Sequence, residues 1–223
     1  MKTVIVMPAY NEGKMIGKVI TDVKKNGFND ILVVDDGSSD DSYKEAKKAG
    51  ATVVRHVLNR GLGGALGTGI QGALIMGADI VVTFDSDGQH DAREIGKIIE
   101  PILRRQCDAV IGTRTHDKEG MPFIRRMFNK VGNIVTYVLF GVMVSDSQSG
   151  FRAFSKTAAG KLRIKTNHME VSSEIIREIG HNKIKLIEVP IKAIYTDYSM
   201  AKGQNFFLGL KTLWKLIIHK FLN

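Results

Sequence analysis

The stretch VVTFDSDGQHD, residues 81–91, ends a run of apolar, strand-forming residues with three aspartates, Asp85, Asp87 and Asp91, inside seven positions. Carboxylates held this close repel, and each raises the cost of ionising the next. The cluster calls for a counter-charge, and a divalent metal held by hard oxygen donors is the one these residue types suit best. A merely solvated acidic turn is the plain alternative.

The elements that must hold these acids are legible as short β-rich runs: TVIVM (3–7), DILVVDD (30–36), ATVVRH (51–56), ADIVVTFD (78–85) and DAVIGTR (108–114). Helical segments separate them. The first carries Met15, Ile16, Val19, Ile20 and Val23 on one face, a polar helix covers about 40–49, and a glycine-rich helix opens near 61. This rhythm predicts an α/β fold with a doubly wound, mostly parallel sheet. In such sheets ligands bind at the carboxyl ends of strands, where the connections switch direction. PAYNE follows the first strand, DDGSSDD the second, DSDGQ the fourth and GTR the fifth. Farther on the pattern predicts a long helix over about 122–142, the segment SDSQSGFRAFS (145–155), a helix near 170–180, a strand KLIEVPI (185–191) and a last helix over 203–222. With no linker, repeat or low-complexity tract, residues 1–200 are expected to form one domain, with 203–222 as a C-terminal amphipathic helix.

The bulk composition narrows the classes. The chain has 223 residues, 43% of them hydrophobic, enough for one core. Its single cysteine, Cys107, excludes a disulfide within the chain and fits a reducing setting. No apolar run reaches the roughly 20 residues of a membrane span, and the N-terminal apolar run breaks at Pro8, unlike a signal peptide. A formal charge of +9 points to an anionic partner, and no acid follows Asp197. RNA-recognition, zinc-finger and helix-turn-helix signatures are absent, so no nucleic-acid partner is expected.

Two motifs mislead. GTGIQG (67–72) spells the dinucleotide fingerprint but lies inside a helical segment instead of straddling a strand-to-helix turn. NRGLGGALGTG (59–69) better suits a helix start lying close to another backbone or a phosphate. DSDG also resembles the opening of aspartyl-nucleophile phosphatases, but the motif is at the fourth strand and is followed by Gln89. A calcium loop needs different spacings for its glycine and distal glutamate.

Taken together, PAYNE (8–12), VVDDGS (33–38), the DxD at 85–87 with Gln89 and His90, GTR (112–114) and DSQSGFRAF (146–154) resemble family 2 glycosyltransferases, most nearly the dolichyl- and polyprenyl-phosphate sugar synthases. The resemblance covers about residues 3–200 and implies a GT-A fold. It implies that Pro8, Ala9, Tyr10 and Glu12 serve the nucleotide base and ribose, with Asp36 as the base-contacting acid. Asp85 and Asp87, with Gln89 nearby, match the group that holds Mg²⁺ or Mn²⁺ on the diphosphate. Arg114 and Arg125 match arginines around the phosphates or the acceptor head group. Asp87, Arg114 and Asp146 are thus the candidates for the chemistry, and Arg152 is a candidate either to face an anionic acceptor or simply to pair with a nearby acid.

The expected activity is inverting transfer of a hexose from a GDP- or UDP-linked sugar to a polyprenyl or dolichyl phosphate, by a protein peripheral to the cytosolic face of a membrane. A diphosphate leaves only if its developing charge is neutralised, and guanidinium groups add bidentate phosphate contacts. A lipid phosphate is already ionised at pH 7, whereas a saccharide hydroxyl, the alternative acceptor in surface-glycan assembly, requires a carboxylate base. Asp146 and Glu170 are the candidates for such a base. A non-catalytic nucleotide-sugar-binding protein is the alternative from another class. One departure stands out: where the lipid-phosphate branch commonly carries an RxxGxS-like loop, this chain has IYTDYSMAKG (194–203), with Tyr198, Ser199 and Lys202 but no arginine. His56, His116, His168 and His181 show no metal-ligand spacing and read as surface or core histidines. On the last helix, Phe206, Leu210, Leu213, Trp214, Ile217 and Phe221 share one face opposite Lys211, Lys215 and His219, the composition of a helix that docks on a membrane surface or a small membrane-protein partner.

Overall fold

Strand residues of β1 (Thr3–Ala9) alternate between two cores, which is what a central strand with helices on both faces must do. Ile5, Met7 and Ala9 join one apolar cluster with Ile16, Ile20 and Val23 of α1 (Ile16–Lys25) and Ile95, Ile98 and Ile102 of α4 (Ile95–Leu103). Val4 and Val6 join the other, with Leu66 and Ile70 of α3 (Gly61–Ile75) and Ile175, Ile176 and Ile179 of α6 (Val171–His181). The computed structural model describes residues 1–114, 133–134, 137–138, 141–192 and 194.

The remaining elements are β2 (Ile31–Asp35), α2 (Ser42–Lys48), β3 (Thr52–Arg55), β4 (Ile80–Thr83), a 3-10 turn (Ala92–Glu94), β5 (Ala109–Thr113), β6 (Arg152–Ser155), α5 (Lys156–Lys161) and β7 (Leu186–Pro190). They form a seven-stranded sheet in the order β3-β2-β1-β4-β6-β5-β7. All pairings are parallel except those of β6, which runs antiparallel between β4 and β5. The expected mostly parallel α/β sheet is therefore present, with one strand the sequence pattern did not predict. RAFS has only four residues and opens on a charge, so its apolar period is too short to read. Its strand state comes from filling the gap between β4 and β5, where Arg152 sits opposite Thr83 and Ile111. The short α5, capped by the Ser155 hydroxyl accepting from the Ala158 N–H, was not predicted either.

Chain order reverses at β1, which has β2 on one side and β4 on the other. The PAYNE and DSDGQ loops therefore emerge side by side at a topological switch point. The glycine-rich stretch is a helix, and its glycines serve packing: a Cβ at Gly63 would overlap the Thr166 carbonyl. Most of the expected helix over 122–142, Arg125, His116, the loop residues 195–203 and the C-terminal helix lie outside the described residues. Among the described residues no helix is long and apolar enough to cross a membrane.

Candidate active site

Three loops at the carboxyl edge of the sheet are tied into one frame. The Ser86 hydroxyl donates to the Pro8 carbonyl (2.8 Å), joining the DSDGQ loop to the end of β1. Asn11, whose φ of 55° puts it in the left-handed region, donates its N–H to the Ser38 hydroxyl and accepts from the Ser39 N–H. The Glu12 N–H donates to the Ser42 hydroxyl (2.7 Å). PAYNE and DDGS are thus cross-braced, and Tyr10 is left half exposed at the rim while Glu12 is buried beneath it.

Asp85 and Asp87 leave β4 beside this frame. The Asp85 carboxylate accepts from Nε2 of His90 (2.9 Å), whose ring is buried against Phe84 and Phe151. A Cβ at position 150 would overlap both carboxylate oxygens of Asp85, so only glycine lets the 148–150 turn cover it. That turn is pinned by the Thr83 hydroxyl donating to the Gly150 carbonyl (2.7 Å). Burial alone would raise Asp85, but the His90 hydrogen bond and the charges of Arg114 and Arg152 outweigh it and hold the carboxyl below its ordinary value. Asp87 goes the other way. Burial, then the charge of Asp85 with a further push from Glu12, raises it to about 6 against the Gln89 N–H it accepts (2.9 Å).

Behind the acids stands a basic pair. Arg114 grips Asp146 through two parallel bonds, Nε to Oδ2 at 2.7 Å and a terminal nitrogen to Oδ1 at 2.9 Å, both residues buried. Burial opposes the charge on Asp146, but Arg114 wins and holds the carboxyl below its usual range. Arg152, 2% exposed, donates to the carbonyls of Ser147 (2.8 Å) and Ser172 (3.4 Å). Burial pulls its guanidinium down to about 10, with Asp146 and Asp85 acting to keep the proton on.

Asp36 is tied into the fold at the end of β2. At 2% exposed, it accepts the N–H groups of Arg60 (2.9 Å) and Gly61 (2.7 Å) and pairs with Nδ1 of His56 (2.6 Å). His56 in turn meets the Thr68 hydroxyl at 3.0 Å. Asp36 thus holds the start of α3. His56 is accordingly a bonded core histidine. Asp146, a candidate base, has both oxygens engaged by Arg114, which suits holding a cation and not taking a proton. Glu170 is buried at the start of α6, and Asp91 pairs with the exposed Arg93 away from the other two acids.

The donor set fits the expected ion. No group of three or more His, Cys, Asp or Glu that could hold a metal is present among the described residues. Mg²⁺ characteristically takes only one or two protein carboxylates and fills its remaining positions with water and substrate phosphate. Asp85 and Asp87, together at the end of β4, supply that number.

Residues 4–163 match the family model described as Glycosyl transferase family 2. The chain belongs to that family. It is 49% identical over 221 residues to the uncharacterized protein MJ1222 of Methanocaldococcus jannaschii, covering 97% of this chain and 91% of that one. It is 38% identical over 238 residues to the UDP-N-acetylglucosamine–dolichyl-phosphate N-acetylglucosaminyltransferase of Methanococcus voltae, covering 97% and 95%. Its GT-A-like fold is similar to that of glucosyl-3-phosphoglycerate synthase from Mycobacterium tuberculosis, with a TM-score of 0.76 over 98% of this chain and 79% of that one at 18% identity. That crystal structure contains Mn²⁺, uridine diphosphate and glucosyl-3-phosphoglycerate.

Two functional contacts were missed from the sequence. His90 follows the DxD motif with no role its spacing implies, and only folding shows it gripping Asp85. The Arg114–Asp146 pair spans 32 residues, and no local spacing announces it.

Proposed function

We propose that this family 2 glycosyltransferase moves a hexose, with inversion, from a nucleoside diphosphate sugar to a polyprenyl or dolichyl phosphate at the cytosolic face of a membrane. The observation that carries the proposal is the pair of acids at the β1/β4 switch point, Asp85 fixed by His90 and by the turn at Gly150, with Asp87 two residues on. Such a pair is completed by a cation and a bound diphosphate. A bound Mg²⁺ or Mn²⁺ would neutralise charge developing on the departing nucleoside diphosphate.

The chain's own residues do the rest. Asp85, fixed by His90 and by the turn at Gly150, presents an oriented carboxylate, and Asp87 with Gln89 completes the oxygen set. Tyr10, at the rim, offers its ring to the base, with Pro8, Ala9 and Glu12 shaping the ribose side. Asp36 holds the α3 start that backs this pocket. Arg114, its fork already set by Asp146, and Arg152 provide fixed positive charge behind the acids; Arg125, by the family resemblance alone, serves the phosphates or the acceptor head group. An ionised lipid phosphate needs no proton removed before it attacks. That suits a site whose Asp146 is held ionised by Arg114 and is therefore a poor base. Residues 1–200 are taken as the catalytic domain, with 203–222 as its helix for a membrane or small membrane-protein partner.

The relative from Methanococcus voltae, by its name, acts on dolichyl phosphate with a UDP-linked sugar, which supports the same acceptor class here. The test is a donor screen of GDP-mannose, UDP-glucose and UDP-N-acetylglucosamine against polyprenyl phosphate, with Mg²⁺, Mn²⁺ or chelator. Metal-dependent transfer to the lipid phosphate is expected. Transfer only to saccharide hydroxyls, or none from any donor, overturns the proposal.

A further inference from the structure

The connection between β3 and α3 carries two adjacent apolar side chains that touch almost nothing: Val57 is 96% exposed and Leu58 76%. Single apolar residues on a surface are ordinary, but a bare pair at a loop tip is a standing cost in water. The loop is nevertheless well held. Asp36 accepts the Arg60 and Gly61 N–H groups, and Asn59 Oδ1 also accepts from Gly61 (3.0 Å). Beneath, Gly37 has a φ of 72°, and a Cβ there would press on the Asn59 nitrogen. The fold therefore braces this tip from within and presents Val57 and Leu58 outward.

Beside the tip, a groove of about 760 Å³ runs along α3. Its wall holds Arg60, Arg163 and Lys165 and no acidic residue. Among the described residues none of these three side chains takes part in an ion pair. An exposed apolar tip with a cation-lined groove that begins beside it at Arg60 is what an anionic bilayer surface attracts: the apolar side chains enter the headgroup boundary and the cations meet lipid phosphates. The location also suits this. β3 is parallel to β2, and β2 and β4 are each parallel to β1, so the tip lies at the same carboxyl edge of the sheet as Tyr10 and Asp85. A membrane met at that edge brings phosphate head groups to the level of the acids.

We infer that the β3–α3 edge, through Val57, Leu58, Arg60, Arg163 and Lys165, docks the enzyme on an anionic lipid bilayer, an inference that rests on the lipid-phosphate acceptor proposed above.

The test floats the full chain with phosphatidylcholine vesicles and with vesicles that also contain phosphatidylglycerol, at low and high salt. Val57→Ser/Leu58→Ser and Arg163→Glu/Lys165→Glu variants run in parallel. The unaltered protein should float with the anionic vesicles only, and less at high salt. Each double variant should bind at least about tenfold more weakly, while transfer to a short, water-soluble polyprenyl phosphate stays unchanged. As a second measurement, an environment-sensitive dye on Leu58→Cys, with Cys107 buried, should shift to the blue on anionic vesicles. Variants that float like the parent, a dye that does not shift, or a tip whose loss abolishes self-association instead of flotation would each overturn the inference. Failure of the acceptor proposal is separately visible, as absence of transfer to polyprenyl phosphates of any length.

Discussion

Asp87 and Asp146 lie in one site at the same end of one sheet, yet their carboxyls are pushed in opposite directions. Asp146 is the more buried, at 1% exposed, and by burial alone should be the harder to ionise. Arg114 reverses that by meeting both of its oxygens, and the pair is closed within the chain. For Asp87, burial and the charge of Asp85, with a further push from Glu12, outweigh the Gln89 N–H and the charge of His90, and it rises to about 6. An acid whose counter-charge is supplied by the fold serves as structure. An acid less fully countered by the fold is where the proposed cation would bind. The same contrast separates Asp36, gripped by His56 and two N–H groups, from Asp85, gripped on one side and backed by Gly150 so that its position is set.

The sharpest way to break the comparison is Asp87→Ala. Transfer should fall by about a thousandfold or more, since several kcal/mol of leaving-group stabilisation depend on the ion it helps hold. The thermal midpoint without metal should hold or rise, because a repelling charge is gone. Turnover with and without chelator, measured beside the midpoint, checks both halves; full activity in excess chelator removes the metal role.

Asp146→Asn should do the reverse, acting first on stability. It removes the carboxylate that meets the buried Arg114 guanidinium twice, and breaking a buried pair typically costs about 3–5 kcal/mol. Urea unfolding would measure it, and a loss under about 1 kcal/mol, the size of an exposed pair, would show that the pair is not a structural unit.

The smallest effect is a pH dependence of the metal-free protein. Asp87 is raised in the folded state, so its favourable contribution is complete below the unfolded value near 4 and is lost as pH rises through about 6. Stability should therefore drop by about 2 kcal/mol, allowing for solvent screening, between pH 4 and 7. Asp146, lowered in the folded state, contributes above the unfolded value and loses that only as pH falls through its own depressed one. The two windows do not overlap, so Asp87→Asn should flatten the upper window alone. Persistence of that drop in the variant would assign it to another group.

Much of this was present in the order of residues. Strands buried on both faces must be apolar throughout, so β1, β2, β4 and β5 stand out as continuous runs, and the polar motifs after them mark the edge where ligands bind. The acids of the DxD could be found because repulsion within three residues is a local fact. β6, the Arg114–Asp146 grip, the His90 bond to Asp85 and the hold of Asp36 on the start of α3 could not be found that way. Each depends on segments far apart in the chain being packed into one edge: Thr83 against Gly150, Arg114 against Asp146, Asp36 against the start of α3. The sequence by itself determined which residue types arrive at the carboxyl edge. Only the tertiary structure decided which of those charges meet a partner there and which are left for a ligand, because a carboxylate's energy depends on what lies within a few ångströms in space and not on its neighbours in the chain.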